Sequence, residues 1–271
     1  MDGLEFEDLD QYLIAQRGRI IHQVWFGTMP NKREANKTYI KLKTYRDSWK
    51  IKNPTWCHIE WNKILSDKFV RNFFPEHYEM YKSYTYEIQR CDSIRYMILY
   101  RYGGLYADMD YYCNKSFDEV FSRYKASLYL VQTPNGISKC VSNSLMYSMP
   151  RHPFWKCFLI EMERSKDTPI YYSKHLTVMF TAGPGILNRT FNKFKKQFKL
   201  RSWPHKYFQP YGHTEDIFSL KNDQVYAIHA SNGCWHGTDS AFIVLLVKEW
   251  KILLFIFSIV ILGIVVYKIT H

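Results

Sequence analysis

Cysteine never occurs in this chain as a CxxC pair or within a Cys/His cluster at zinc spacing. Cys57, Cys91, Cys113, Cys140, Cys157 and Cys234 stand singly, which argues against a zinc site. Glycine and proline are sparse at 12 and 10 residues in 271, so collagen-like repetition and extended disorder are excluded. The opening MDGLEFEDLDQYLIAQ lacks the basic start and continuous apolar run of a signal peptide. Negative charge is also in deficit. The 25 Asp and Glu against 37 Lys and Arg leave a net charge of +12, a field that draws phosphate-bearing ligands, anionic headgroups or nucleic acid without choosing among them.

No long hydrophobic run precedes residue 241. Beyond it, Ile252 to Tyr267 (ILLFIFSIVILGIVVY) is charge-free, with Trp250 and Lys251 before it and Lys268 after it. As a helix those residues cover about 24 Å, and the flanking Trp and Lys extend the span toward a bilayer's hydrocarbon thickness. A buried core helix is the competing reading. The terminal position, the flanks and apolarity on every side favour a single-pass membrane anchor. Flanking charges are too even to orient it, and Ala241 to Val247 (AFIVLLV) reads as an interfacial lead-in.

In the body, RIIHQVWF (19–26) and TWCHIEW (55–61) read as strands, and the breaker-free stretch 34–49 between them reads as a helix. Two parallel strands joined by a helix specify an α/β sheet. A helix over 83–102 ends at Gly103-Gly104, followed by a short strand at 105–107. Further strands are expected at 127–132 and 224–229, and further helices at 152–164 and 186–198. The division is an N-terminal extension (1–18), one α/β domain (19–240) and a membrane-proximal segment with its anchor (241–271, the helix at about 252–267).

Asp108-Met109-Asp110 follows the third strand. In an extended segment, side chains at i and i+2 point the same way, so the two carboxylates can share one divalent ion, and oxygen ligands suit Mn²⁺ or Mg²⁺. A lone Asp-x-Asp is more often a solvated turn. Here it is preceded by Arg90-Cys91-Asp92-Ser93-Ile94-Arg95 and by Gly103-Gly104-Leu105-Tyr106. That string resembles the sugar-binding region of the DXD glycosyltransferases, and in particular glycosyltransferase family 32, which includes fungal mannosyl-inositol-phosphoceramide synthase catalytic subunits and Golgi α-mannosyltransferases. The resemblance is dense from Arg19 to Asp110 and fragmentary afterwards.

The resemblance implies a GT-A type (Rossmann-like nucleotide-sugar-binding) fold and retention at the anomeric carbon. It gives Asp92 and Arg95 the donor sugar's hydroxyls, where spacing alone allows an ordinary surface ion pair. It gives Asp108 and Asp110 the metal, Mn²⁺ or Mg²⁺, with His229 as a further metal or diphosphate ligand. Substrate binding is implied for His22 and Trp25 on the first strand, Gly103, Gly104 and Tyr106 around the Gly-Gly pair, Gly183 and Gly185 of a Thr-Gly-Pro-like loop, and Trp235 of a closing motif. Trp25 reads equally as core, and the 183–185 loop equally as a helix start. Two departures stand out: Cys91 and Cys234 occupy positions where the family has small or hydroxyl side chains.

The reading is a membrane-anchored, metal-dependent hexosyltransferase at an endomembrane of ER or Golgi type. Its donor is GDP-mannose ahead of a UDP-hexose, and its acceptor a membrane lipid of inositol-phosphoceramide type. Rival readings are an inactive sugar- or anion-binding membrane protein and a transferase acting on protein or oligosaccharide. Nucleic acid is not an expected partner, because Asn192 to Lys199 reads as a helix with a solvated basic face.

Overall fold

Strand β1 (Ile20–Val24) carries the β-branched Ile20, Ile21 and Val24, and all five of its residues, His22 and Gln23 included, are buried, as befits a strand covered on both faces. The computed structural model describes residues 6–27, 32–134, 140–167, 169, 172–210, 217–230 and 238–240. Helix α2 (Lys32–Lys52) carries the chain back, and β2 (Cys57–Trp61) returns parallel to β1, pairing Ile20 with Cys57 and Val24 with Trp61. The expected strand, helix, strand opening is therefore present.

Helix α3 (Lys63–Phe73) starts at Asn62, whose side chain accepts the Leu65 N–H, and α4 (Tyr78–Ser83) follows. The single helix expected over 83–102 is corrected. Ser83 closes α4, Tyr84 turns the backbone to ψ 126°, and α5 (Glu87–Tyr102) begins anew with the Gln89 side chain accepting the Tyr86 N–H. Strand β3 (Gly104–Ala107) then pairs parallel to β1.

Beyond β3 lie β4 (Tyr111–Cys113), α6 (Phe117–Arg123), β5 (Leu128–Gln132), β6 (Val141–Ser148), α7 (Pro153–Arg164), α8 (Lys174–Thr181), α9 (Pro184–Phe194), β7 (Arg201–Trp203), α10 (His205–Phe208) and β8 (Ala227–His229). The main sheet has the order β2-β1-β3-β6-β5-β7, with β6 antiparallel to both neighbours, and β4 pairs with β8 in a separate ribbon. Three strands, β4, β6 and β7, are additions to the sequence reading. Strand β8 is shorter than expected, because Val225 and Tyr226 bond instead to Asn222 and Tyr207.

Alternation along the strands feeds two cores. Ile20, Val24, Tyr106, Leu130 and Met146 join the cluster on one face of the sheet, and Ile21, Leu105, Tyr129, Val131 and Leu145 that on the other. The first of these clusters also takes Leu9 and Leu13 from α1 (Phe6–Ala15), and Arg101 clamps Asp10 with two bonds of 2.7 Å. The segment before residue 19 thus contributes core side chains. Among the described residues no helix is long and apolar enough to cross a membrane; the run 252–267 lies outside them.

Gly103 and Gly104, at φ 67° and 92°, turn α5 into β3 where a Cβ would lie 2.5 Å from Pro150 N and from Ile20 O respectively. Beneath this corner, the fully buried His22 donates from Nε2 to the Gly103 carbonyl at 2.9 Å and accepts at Nδ1 from the Trp61 indole at 3.1 Å. Burial pulls its pKa down from 6.5 to about 4, against the pull of the Gly103 carbonyl. Above pH 6.5 the ring is neutral in both folded and unfolded chains. As pH falls below that, only the unfolded chain takes up the proton, so stability is lost toward pH 4. We expect urea unfolding to show about 2 kcal/mol less stability at pH 5 than at pH 7 from this group, from 1.36 kcal/mol per pKa unit. His22→Gln should flatten that part of the profile, and an unchanged profile would remove His22 as its source.

Candidate active site

Asp92 and Arg95 lie one turn apart on α5, and the buried face of that helix turns both inward. Arg95 Nη2 is 2.7 Å from Asp92 Oδ1, with the side chains only 7% and 5% exposed, so this is a buried pair rather than a surface one. Arg95 Nη1 also reaches Asp108 Oδ1 at 3.0 Å. Tyr106, on β3, lies with its ring 4.9 Å from the guanidinium and donates its O–H to the same Asp108 oxygen at 2.6 Å. Asn143, on β6, donates to Asp92 Oδ1 at 3.1 Å, while its carbonyl accepts from Arg95 Nη1.

Electrostatics follow from this crowding. Burial raises the Asp92 pKa to about 7, although Arg95 opposes it, and burial likewise raises Asp108, with Asp110 adding repulsion. For Arg95, burial works against the charge, yet Asp108 and Asp92 outweigh it and push its pKa well up. The guanidinium is the fixed positive centre of the site.

Asp108-Met109-Asp110 is a turn rather than the extended segment expected. The Tyr111 N–H closes it on the Asp108 carbonyl at 3.0 Å, and Met109 points into the core. The turn delivers the chain to β4, and β8 pairs with it so that His229 stands opposite Tyr111; the Ala230 N–H bonds the Asp110 carbonyl at 2.9 Å. His229 stacks on Tyr111, with ring centroids 4.5 Å apart and planes within 8°, and its Nε2 lies 3.0 Å from Asp110 Oδ1. Burial disfavours the charged imidazole, but the Asp110 carboxylate more than offsets this and raises the His229 pKa.

Asp108, Asp110 and His229 each offer one ligand atom within 4.8 Å of the others. Two carboxylates and one imidazole, with no thiolate, form a donor set that fits Mn²⁺ and accommodates Mg²⁺. The structure thus gathers five of the predicted residues, Asp92, Arg95, Asp108, Asp110 and His229, in one continuous constellation, with Tyr106 at its floor.

Other predicted residues fall elsewhere. His22, Gly103 and Gly104 form the packed corner described above rather than a surface for a ligand. Gly183 and Gly185 start α9 beside α8, where an added Cβ would meet Val178 O and Met179 O at 2.7 Å; close helix packing accounts for both glycines. Trp25 is half-buried at the end of β1, its ring 6.1 Å from that of Tyr39, and is absent from the main core. Trp235 and Cys234 lie outside the described residues. Cys91 is a free thiol whose pKa burial pushes up.

Sequence reasoning missed Asn143, Gln209 and Tyr111. A signal for Asn143 existed: Ser142, Asn143 and Ser144 are three consecutive polar residues flanked by apolar ones, and buried polar groups need partners. Gln209 carried none, as its partners are 20 and 98 residues away.

The model of the family "Glycosyltransferase sugar-binding region containing DXD motif" matches residues 41–127, which include Asp92, Arg95, Asp108 and Asp110. "Inositol phosphoceramide mannosyltransferase 3" of Schizosaccharomyces pombe is 28% identical over 88% of this chain, and the match spans 61% of that relative's length. "Inositol phosphoceramide mannosyltransferase 1" of the same yeast is 30% identical over 88% of this chain and 68% of its own. Among solved structures, mouse xyloside xylosyltransferase 1 aligns over 80% of this chain and 99% of its own at 8% identity, with a TM-score of 0.47, a likeness too slight to argue from. With the buried Asp92–Arg95 pair and the DXD turn in place, the sequence match carries the conclusion: this chain belongs to the glycosyltransferases that possess a DXD-containing sugar-binding region.

Proposed function

We infer that the chain is a metal-dependent, retaining glycosyltransferase that moves a hexose from a nucleotide sugar to an acceptor held at a membrane. GDP-mannose stands ahead of a UDP-hexose as donor, and an inositol-phosphoceramide-type lipid is the acceptor. The observation that carries this reading is the Asp108, Asp110 and His229 cluster, with ligand atoms within 4.8 Å, joined through Asp108 to the Asp92–Arg95 pair. The relatives named as inositol phosphoceramide mannosyltransferases support the donor and acceptor classes.

Asp108, Asp110 and His229 would hold a divalent cation, which when bound would supply positive charge against the departing diphosphate. The chain's own residues do the rest. The Asp92 carboxylate accepts from sugar hydroxyls, and the guanidinium of Arg95, braced by Asp108 and the Asn143 carbonyl, opposes the protonation that burial favours and aims that carboxylate. Trp25, half-buried at the end of β1, offers a ring on which the donor's base stacks. The run 252–267 tethers the body to an endomembrane, and the net charge of +12 draws anionic headgroups toward it.

A panel of nucleotide sugars tests the reading, with the full chain in vesicles with and without inositol phosphoceramide, in Mn²⁺ and in EDTA. The expected result is cation-dependent turnover strongest with GDP-mannose and transfer to the lipid. Turnover of no nucleotide sugar by the folded chain in Mn²⁺ would overturn the transferase reading. Transfer to a water-soluble protein or oligosaccharide, with the lipid ignored, would overturn the acceptor alone.

A further inference from the structure

The imidazole of His229 has two nitrogens with different neighbours. Nε2 faces the carboxylates, 3.0 Å from Asp110 Oδ1, and Nδ1 lies 3.1 Å from Gln209 Nε2. Gln209 is itself held. Only 8% exposed, it follows α10, and its Oε1 accepts from the Tyr111 O–H at 3.1 Å. Tyr111 is the residue on which His229 stacks, and its oxygen lies 3.4 Å from Ser144 Oγ. Imidazole, amide, phenol and hydroxyl thus form one chain that ends at the carboxylates.

In the arrangement described, the Gln209 amide donates to Nδ1, so a neutral ring carries its proton on Nε2 and donates to Asp110. That nitrogen has no lone pair for a cation. For Nε2 to act as a ligand the proton must leave Nε2 for solvent and another must be taken up at Nδ1, with the ring's proton count unchanged. Gln209, with a donor and an acceptor on one amide, has the chemistry to serve both states. Turning its amide by half a revolution presents Oε1 to Nδ1–H and the NH₂ group to the Tyr111 oxygen. Tyr111 then swings its own O–H to Ser144. Imidazole, amide, phenol and hydroxyl each keep a partner in both states, whereas a side chain that only donates or only accepts would stabilise one tautomer.

We propose that Gln209, backed by Tyr111, is the positioning residue that sets the tautomer of His229 and thereby gates its entry into the cation site. The proposal rests on the reading of Asp108, Asp110 and His229 as ligands, and goes beyond it in naming what controls the third of them. Outer partners of a metal-bound histidine commonly tune affinity by about 10–100-fold.

The test measures Mn²⁺ binding to the cation-free full chain by titration calorimetry, and reads the His229 ring nitrogens by nitrogen NMR before and after adding Zn²⁺ as a diamagnetic substitute. For the wild type, the expected result is an Nε2–H tautomer without the ion and an Nδ1–H tautomer with it. Gln209→Met, which keeps the volume and removes both hydrogen-bonding functions, should weaken Mn²⁺ binding by about 10–100-fold. Gln209→Glu, which can accept from Nδ1–H, should bind within about threefold of wild type, a rescue that a merely structural role would not give. Wild-type Mn²⁺ affinity in Gln209→Met, or a tautomer that does not change when the ion binds, would overturn the proposal and leave the cation site standing. A folded wild-type chain that binds no Mn²⁺ overturns both. Should Gln209→Met fail to fold, the wild-type tautomer measurement decides by itself.

Discussion

Asp110→Asn is expected to lower transfer at least about 10³-fold while leaving the fold in place, since the several kcal/mol that a cation contributes against developing charge convert to about tenfold per 1.36 kcal/mol. Asp110 has two tasks in the structure. It supplies one of two carboxylates to the candidate cation site, and it stabilises the ring of His229 from 3.0 Å. An amide keeps the shape and one acceptor oxygen but loses the charge, so cation affinity and activity should fall together while the melting temperature moves little. Transfer by the variant at the wild-type rate, or full wild-type activity in EDTA, would show that the DXD turn does not work through a cation.

Arg95→Met is expected to destabilise the fold by about 3–5 kcal/mol, the usual cost of removing one partner from a buried ion pair. The guanidinium is 7% exposed and lies between Asp92 and Asp108, both raised in pKa by burial and opposed in that chiefly by this one cation. Without it, Asp92 gains no replacement charge, and among the described residues Asn143 alone still donates to it. Urea unfolding at pH 7 reads the loss. A cost under about 1 kcal/mol, the range of an exposed pair, would mean that water reaches these carboxylates.

Much of this was legible in the chain. Local pattern gave β1, α2 and β2, because β-branched clusters, a breaker-free stretch and Asn53-Pro54 act within a few residues of themselves. The end of α5 was legible in Gly103-Gly104, whose positive φ values other residues adopt only with strain. The break between α4 and α5 was not, because nothing in Ser83 to Tyr86 forbids a helix: Tyr84 is extended there and buried in the core. Strand β6 escaped notice for a similar reason. Its Ser142-Asn143-Ser144 is unattractive as a strand until the partners that satisfy those side chains are supplied by α5 and β4.

The sequence by itself determined the family, the presence of the Asp-x-Asp pair and the identity of the charged residues, since spacing along the chain is a local property that needs no fold to be read; that the pair forms a turn came from the structure. Tertiary structure decided everything that depends on pairing distant segments. It buried the Asp92–Arg95 pair, which i, i+3 spacing leaves equally at home on a surface. It moved His22, Gly103 and Gly104 from the ligand side to a packed corner. It set β8 against β4 so that a histidine 119 residues from Asp110 lies 3.0 Å from it, with Gln209 and Tyr111 behind. Burial and long-range strand register are collective outcomes of the whole core, and no window of sequence contains them.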